Sequence, residues 1–140
     1  MARSGRQGAA ERAEEVLLEM RDLNDPQARP DIYTFASVIN CWANSNDEQS
    51  AERAERILNL MENRSAEGDE RLRPTLFTYG AVLNAWARSR SPEACQKALQ
   101  ILSRIESKHV QGDESMRPNG PIYNSGKRCY SLYDSLNAHV

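Results

Sequence analysis

The chain has 140 residues, of which 39% are hydrophobic and 27% are charged, and its formal charge at pH 7 is −2. No apolar stretch approaches the roughly 18 residues that a membrane span requires, so the composition excludes a transmembrane protein and indicates a soluble helical one. The pI of about 5.7 lacks the basic excess that an autonomous nucleic-acid binder usually shows, and any nucleic-acid hypothesis has to account for it.

The first predicted element is a helix near the N-terminus. Ala13, Val16, Leu17 and Met20 recur at the spacing of one face of an α-helix. A stripe of the same kind occurs in the second helix of each later repeat. Residues 1–28 are therefore predicted to be a partial repeat, which consists of a second helix and its connector without the first helix of the pair.

The rest of the chain is divided by three Arg-Pro pairs that stand 44 positions apart, Arg29-Pro30, Arg73-Pro74 and Arg117-Pro118. When residues 29–72 are aligned with 73–116, 15 of 44 positions are identical, which is too ordered for chance. A period of this length indicates one supersecondary unit stacked on copies of itself. We predict full repeats at 29–72 and 73–116, and a partial, degenerate repeat at 117–140.

Each full repeat is predicted to be a pair of helices, because two apolar stripes with helical spacing follow each Arg-Pro pair. The stripe of helix A consists of Phe35, Val38, Ile39 and Trp42, repeated as Tyr79, Val82, Leu83 and Trp86. The stripe of helix B consists of Ala54, Ile57, Leu58 and Met61, repeated as Ala98, Ile101, Leu102 and Ile105. Asp31 and Thr75 are the predicted N-caps of helix A. The fold class is therefore all-α, an α-solenoid of helix-turn-helix repeats.

The segments between a helix B and the next helix A, Glu62 to Leu72 and Glu106 to Met116, are predicted to be acidic, solvated connectors. Gly68 and Gly112 are the predicted helix stops. In the last repeat Gly126 stands where the stripe has valine, and Lys127 stands where it has Ile or Leu. Residues 125–140 are expected to be a frayed end, a shifted helix or a stretch of altered reading frame.

Catalytic and metal-binding patterns give little. The three cysteines, Cys41, Cys95 and Cys129, form no CxxC pair and have no histidine at ligand spacing, which predicts a reducing compartment and neither a metal nor another cofactor. His109 and His139 stand apart from any candidate partner, so no enzyme is predicted. The ten residues before Glu11 are too few for a clear transit peptide.

The repeats resemble the pentatricopeptide repeat family. The resemblance rests on the segments that begin Arg29-Pro-Asp-Ile-Tyr-Thr and Arg73-Pro-Thr-Leu-Phe-Thr, each followed by a helix with an Ala and Leu stripe, and it covers residues 10–124. The family's unit is about 35 residues, and the surplus here lies in the loops. Tetratricopeptide repeats fit less well, because Trp42 and Trp86 come late in helix A.

The resemblance implies that the chain binds single-stranded RNA, one base per repeat, through helix A. It also implies work in a mitochondrion or plastid, in RNA processing or stability, without a small-molecule substrate or a membrane partner. In this family the second residue of helix A sandwiches the base, and the fifth selects it together with the unit's last residue. These columns and the adjoining polar positions give the candidate RNA-binding residues Asp31, Tyr33, Ala36, Asn40, Thr75, Phe77, Gly80, Asn84, Asn119 and Asn124.

Ala36 and Gly80 depart from the pattern, because neither side chain forms hydrogen bonds, so base discrimination is expected to be weak. The alternative hypothesis is a protein-interaction scaffold of helical hairpins with no role in RNA binding. It is favoured by the acidic pI and by the two blank selector positions. A third hypothesis is an incomplete gene product that folds poorly, since about three repeats are needed for stability.

Overall fold

The computed structural model describes residues 5–22, 31–45, 48–89 and 91–126. In these residues it contains α-helices and short 3₁₀ turns and no strand, so the all-α class is confirmed. The helices are α1 (Gly5–Asp22), α2 (Ile32–Ala43), α3 (Ser50–Ala66), α4 (Leu76–Arg88), α5 (Ala94–Val110) and α6, which is described over residues 120–126.

The chain forms two compact units, Met1–Pro74 and Thr75–Val140. In the first unit α2 packs against both α1 and α3. In the second unit α4 packs against α5, and α6 approaches both of them, since Ile122 lies beside Gly80 and Gly126 lies beside Leu102. Each unit therefore contains one complete helical hairpin, α2–α3 or α4–α5, and one further helix.

The predicted stripes are the buried faces of these helices. All sixteen stripe residues of the two hairpins are buried, as predicted. The indole Nε1 atoms of Trp42 and Trp86 are also buried, and among the described residues neither has an acceptor. A buried donor without a partner costs about 1–3 kcal/mol, so the volume of the indole has to outweigh its polar atom at both positions.

In the first unit a charged pair joins all three helices beside Trp42. The Arg53 guanidinium of α3 lies over the Trp42 ring, 5.0 Å from its centroid. The same guanidinium donates to Glu14 Oε2 of α1 at 3.2 Å. The N-terminal stripe itself is only partly buried, because Leu17 is covered whereas Val16 is half exposed; the side chain of Met20 lies outside the described residues.

The start of each helix A is fixed by a side-chain cap three residues before the first free backbone N–H. Asp31 Oδ1 accepts from Thr34 N at 2.9 Å, and Thr75 Oγ1 accepts from Thr78 N at 3.4 Å, so both predicted N-caps are confirmed. At the start of α6, Asn119 Oδ1 accepts from Ile122 N at 3.1 Å. Satisfying one of the unpaired donors at a helix start stabilises it by about 1 kcal/mol.

The connectors differ from the prediction. α3 continues to Ala66 and α5 to Val110, so the first part of each predicted connector is helical. The helices end just before Gly68 and Gly112, whose φ angles of 119° and 109° favour glycine, and these two helix stops are confirmed.

After each glycine the chain makes a 3₁₀ turn, Glu70–Leu72 or Glu114–Met116. Leu72 and Met116, the last residues of these turns, are buried. The prediction of fully solvated connectors is therefore wrong at these two side chains, because each turn folds back onto the helix B that precedes it.

The C-terminal repeat also differs from the prediction, since the helix runs through residue 126 rather than failing there. Gly126 is buried, and a Cβ at this position would lie 2.6 Å from Leu102 Cδ2. Glycine stands in the valine column because α6 lies too close to α5 for a side chain. The expectations for Lys127 and the remaining residues to 140 lie outside the described residues.

Two Gly→Ala substitutions should act in opposite directions. Gly8 lies within α1 with open space around it, so Gly8→Ala should raise the free energy of unfolding by about 0.5–1 kcal/mol through helix propensity alone. Gly126→Ala should lower it by about 1–3 kcal/mol, because the added methyl group overlaps the buried Leu102 side chain. Denaturant unfolding measures both values, and stabilisation by Gly126→Ala would contradict the close α5–α6 approach.

The Asp31 cap should make stability depend on pH. Hydrogen bonds from the Thr34 backbone N–H and from its hydroxyl hold the pKa of Asp31 below its ordinary value of 3.8. A carboxylate with a lowered folded pKa contributes stability above the unfolded value and loses it as the pH falls through the folded one. Unfolding between about pH 5 and pH 2 should show this loss in the parent chain and less of it in Asp31→Asn, which keeps a neutral cap.

Candidate nucleic-acid interface

Two aromatic rings are left in water at equivalent positions of the two hairpins. Tyr33 is the second residue of α2 and is 77% exposed, and Phe77 is the second residue of α4 and is 62% exposed. Each ring projects from the face opposite its own buried stripe, because positions 33 and 77 fall outside the 3.6-residue period of Phe35 and Tyr79. The rings are available as flat apolar surfaces.

The fifth residue of helix A offers no hydrogen-bonding group in either hairpin. Ala36 is half-buried on α2. Gly80 on α4 faces Ile122 of α6, and a Cβ added there would lie 2.9 Å from Ile122 Cδ1. Glycine at this position therefore serves the packing of two successive A helices. Asn124, the fifth residue of α6, is exposed.

The last-residue column is engaged in folding. Asp31, Thr75 and Asn119 are the N-caps described above, and in each the side-chain oxygen already accepts a backbone N–H. Thr75 is held further, because its own backbone N–H donates to Thr78 Oγ1 at 2.9 Å. Asn119 keeps its amide N–H₂ as a donor group, and Asp31 keeps a second carboxylate oxygen.

Polar residues extend the candidate surface along each helix A. On α2, Asn40 lies two turns beyond Tyr33 and is exposed. On α4, Asn84 occupies the equivalent position and is half-buried, and Arg88 follows one turn later, exposed at the end of the helix. The helical period brings Tyr33, Ala36 and Asn40 to one face of the first unit.

In the second unit the same period aligns Phe77, Gly80 and Asn84. The Gly80–Ile122 contact brings α6, with its cap Asn119 and with Asn124, next to this face.

The acidic charge of the chain is not spread evenly. From the printed sequence, Met1–Pro74 contains 10 Lys and Arg against 15 Asp and Glu, whereas Thr75–Val140 contains 8 against 5. The acid excess that argues against a nucleic-acid partner therefore belongs to the first unit alone. A count over the whole chain hides this difference, and a count per repeat reveals it.

A polar groove on α5 was not predicted from the sequence. It has a volume of about 390 Å³ and is lined by Ser103, Arg104, Ser107, Lys108 and Gln111. Arg104 and Lys108 also cover the ring of the buried Tyr79, at 5.6 and 5.8 Å from its centroid. The groove lies on helix B and contains none of the candidate RNA-binding residues.

Other kinds of site find no support in the part of the chain that the structure describes. It contains no group of three or more His, Cys, Asp or Glu side chains that could hold a metal ion. Cys41 and Cys95 are free thiols. None of the described helices is both long and apolar enough to cross a membrane.

Comparison with known proteins agrees with the repeated hairpins. A family model described as the pentatricopeptide repeat domain matches residues 20–89, which is half of the chain. No curated protein and no solved structure matches. The matched residues include both capped A helices and their exposed rings. On the extent of this match, the chain belongs to the pentatricopeptide repeat family.

Proposed function

We propose that this chain binds single-stranded RNA by stacking bases on Tyr33 and Phe77, with little discrimination between the four bases. The exposure of one large aromatic ring at the same position of each helix A carries the proposal. Stacking of a base on an aromatic side chain is worth about 1–3 kcal/mol and tolerates any sequence, because every base has a π face.

Weak discrimination follows from the two selector columns. A base is distinguished by donors and acceptors that meet its edge. Ala36 and Gly80 have none, and the oxygens of Asp31 and Thr75 are used to cap helices. In the partial third repeat, Asn124 is exposed and retains the expected amide. Any base preference should therefore come from the α6 end of the surface.

Charge contributes little to the proposed affinity. Arg88 is exposed at the end of α4, on the face that carries Phe77, whereas the equivalent residue of α2 is Asn44. A protein that contacts Z phosphates of a single strand loses affinity with a log–log salt slope of about −0.7Z. With few cations along the helix A face, the slope should be shallow. This resolves the objection from the acidic pI.

The proposed setting is a mitochondrion or plastid, where the chain would support RNA processing or stability by binding rather than catalysis. Family membership supports this setting. Crosslinking of the chain to RNA in isolated organelles tests it. A protein-interaction scaffold is the competing function, favoured by the acid excess of the first unit. Capture of a nuclease-resistant protein partner without RNA crosslinks would favour the scaffold.

Loss of both rings should abolish binding without unfolding the chain. Tyr33→Ala with Phe77→Ala should weaken binding of a ten-nucleotide single strand by at least tenfold, from about 1–3 kcal/mol per base. Fluorescence anisotropy at low salt measures the affinity. Tyr33→Phe should retain binding. Val110→Ala is the matched control, since this side chain is 84% exposed but lies on helix B. Unchanged binding by the double variant would contradict the proposal.

Restoring an amide at a blank selector position should create a preference. Ala36→Asn supplies a donor and an acceptor at the fifth position of α2, next to the exposed Tyr33 ring. Affinities for the four ten-nucleotide homopolymers should then differ by several-fold, whereas Ala36→Val, which has no hydrogen-bonding group, should leave the pattern of the parent chain. Equal affinities in Ala36→Asn would mean that bases do not meet this position.

A further inference from the structure

We infer that this chain associates head to tail with a second copy of itself, α6 of one copy docking on the exposed face of α1 of the next. Each end of the chain exposes apolar residues whose equivalents inside the chain are buried. The two ends also offer the two halves of one hairpin, because α1 corresponds to a helix B and α6 to a helix A.

The α1 half of the contact is a stripe of Ala9, Ala13 and Val16. Its equivalents are Ser50, Ala54 and Ile57 of α3 and Ala94, Ala98 and Ile101 of α5. Those six residues are all buried, whereas Val16 is 48% exposed, Ala9 is exposed and Ala13 is half-buried. One continuous face, which is covered in two helices of this chain, is therefore open in the third.

The α6 half of the contact is Tyr123. Its equivalents, Phe35 and Tyr79, are 1% and 0% exposed, whereas Tyr123 is 53% exposed. The ring of Tyr79 is covered by Arg104 and Lys108 of the helix B in its own hairpin. Tyr123 lacks such a cover among the described residues. A helix B face is the surface that this column packs against, and α1 presents such a face.

Charge favours contact between unlike ends over contact between like ends. The unit that contains α1 has a net charge of −5, and the unit that contains α6 has a net charge of +3. Glu15 and Glu19 are exposed on α1. A pairing of two α1 faces or of two α6 faces would bring like charges together, whereas a heterologous pairing brings opposite ones together and directs the encounter.

Sedimentation velocity on the 140-residue chain, from about 1 μM to about 1 mM, tests the association. The average mass should rise above 15.8 kDa with concentration. Val16→Asp and Tyr123→Asp should each remain monomeric, because each lacks one half of the contact. Leu18→Asp is the control, since this exposed apolar residue of α1 lies outside the stripe and its substitution should leave association intact.

A mixture of the two monomeric variants gives the sharpest outcome. Val16→Asp keeps an intact α6 end and Tyr123→Asp keeps an intact α1 end, so an equimolar mixture should form a dimer that grows no further. A parent chain that stays monomeric up to 1 mM, a mixture that stays monomeric, or a single variant that dimerises alone would overturn the proposal. Circular dichroism confirms that each variant is helical, and Val16→Ser replaces Val16→Asp if the latter unfolds.

Discussion

The N-cap of helix A is the interaction on which the other features of this chain depend. Asp31, Thr75 and Asn119 each hold a backbone N–H three residues further on, and this contact sets the residue at which α2, α4 and α6 begin. Once the start is fixed, the 3.6-residue period decides which side chains are buried and which remain in water. The rings of Tyr33 and Phe77 are exposed because they stand two residues after a cap.

The same constraint limits what the surface can recognise. In this family the last residue of one unit helps to select a base, and here that residue also starts the next helix. A side-chain oxygen that satisfies a buried or partly buried donor is not free to read a base edge. Gly80 shows a second conflict of this kind, because a side chain there would meet Ile122. Packing and capping have taken the selector columns, and stacking remains.

The helices and their buried faces were predictable because the stripes are strictly periodic, and the caps because Asp and Thr precede them. The ends of helix B were not, because polar residues such as Asn63 and Ser65 are compatible with a helix, and only the positive φ of Gly68 ends it. Gly126 was misjudged as a defect, since its close approach to Leu102 is a tertiary contact that no local pattern contains. The half-exposed state of Val16 likewise depends on what covers α1. The exposed rings followed from the period, whereas the engagement of the selector oxygens required the structure.

Stacking without selection is the central claim, and affinity for the four ten-nucleotide RNA homopolymers tests it most directly. The chain should bind all four at low salt with affinities within a few-fold of one another, because stacking on Tyr33 and Phe77 uses the base face and not its edge. A preference for one homopolymer greater than about tenfold, which corresponds to 1.4 kcal/mol, would show that the edge is read and would contradict the account. Absence of binding to all four would contradict the RNA-binding function itself.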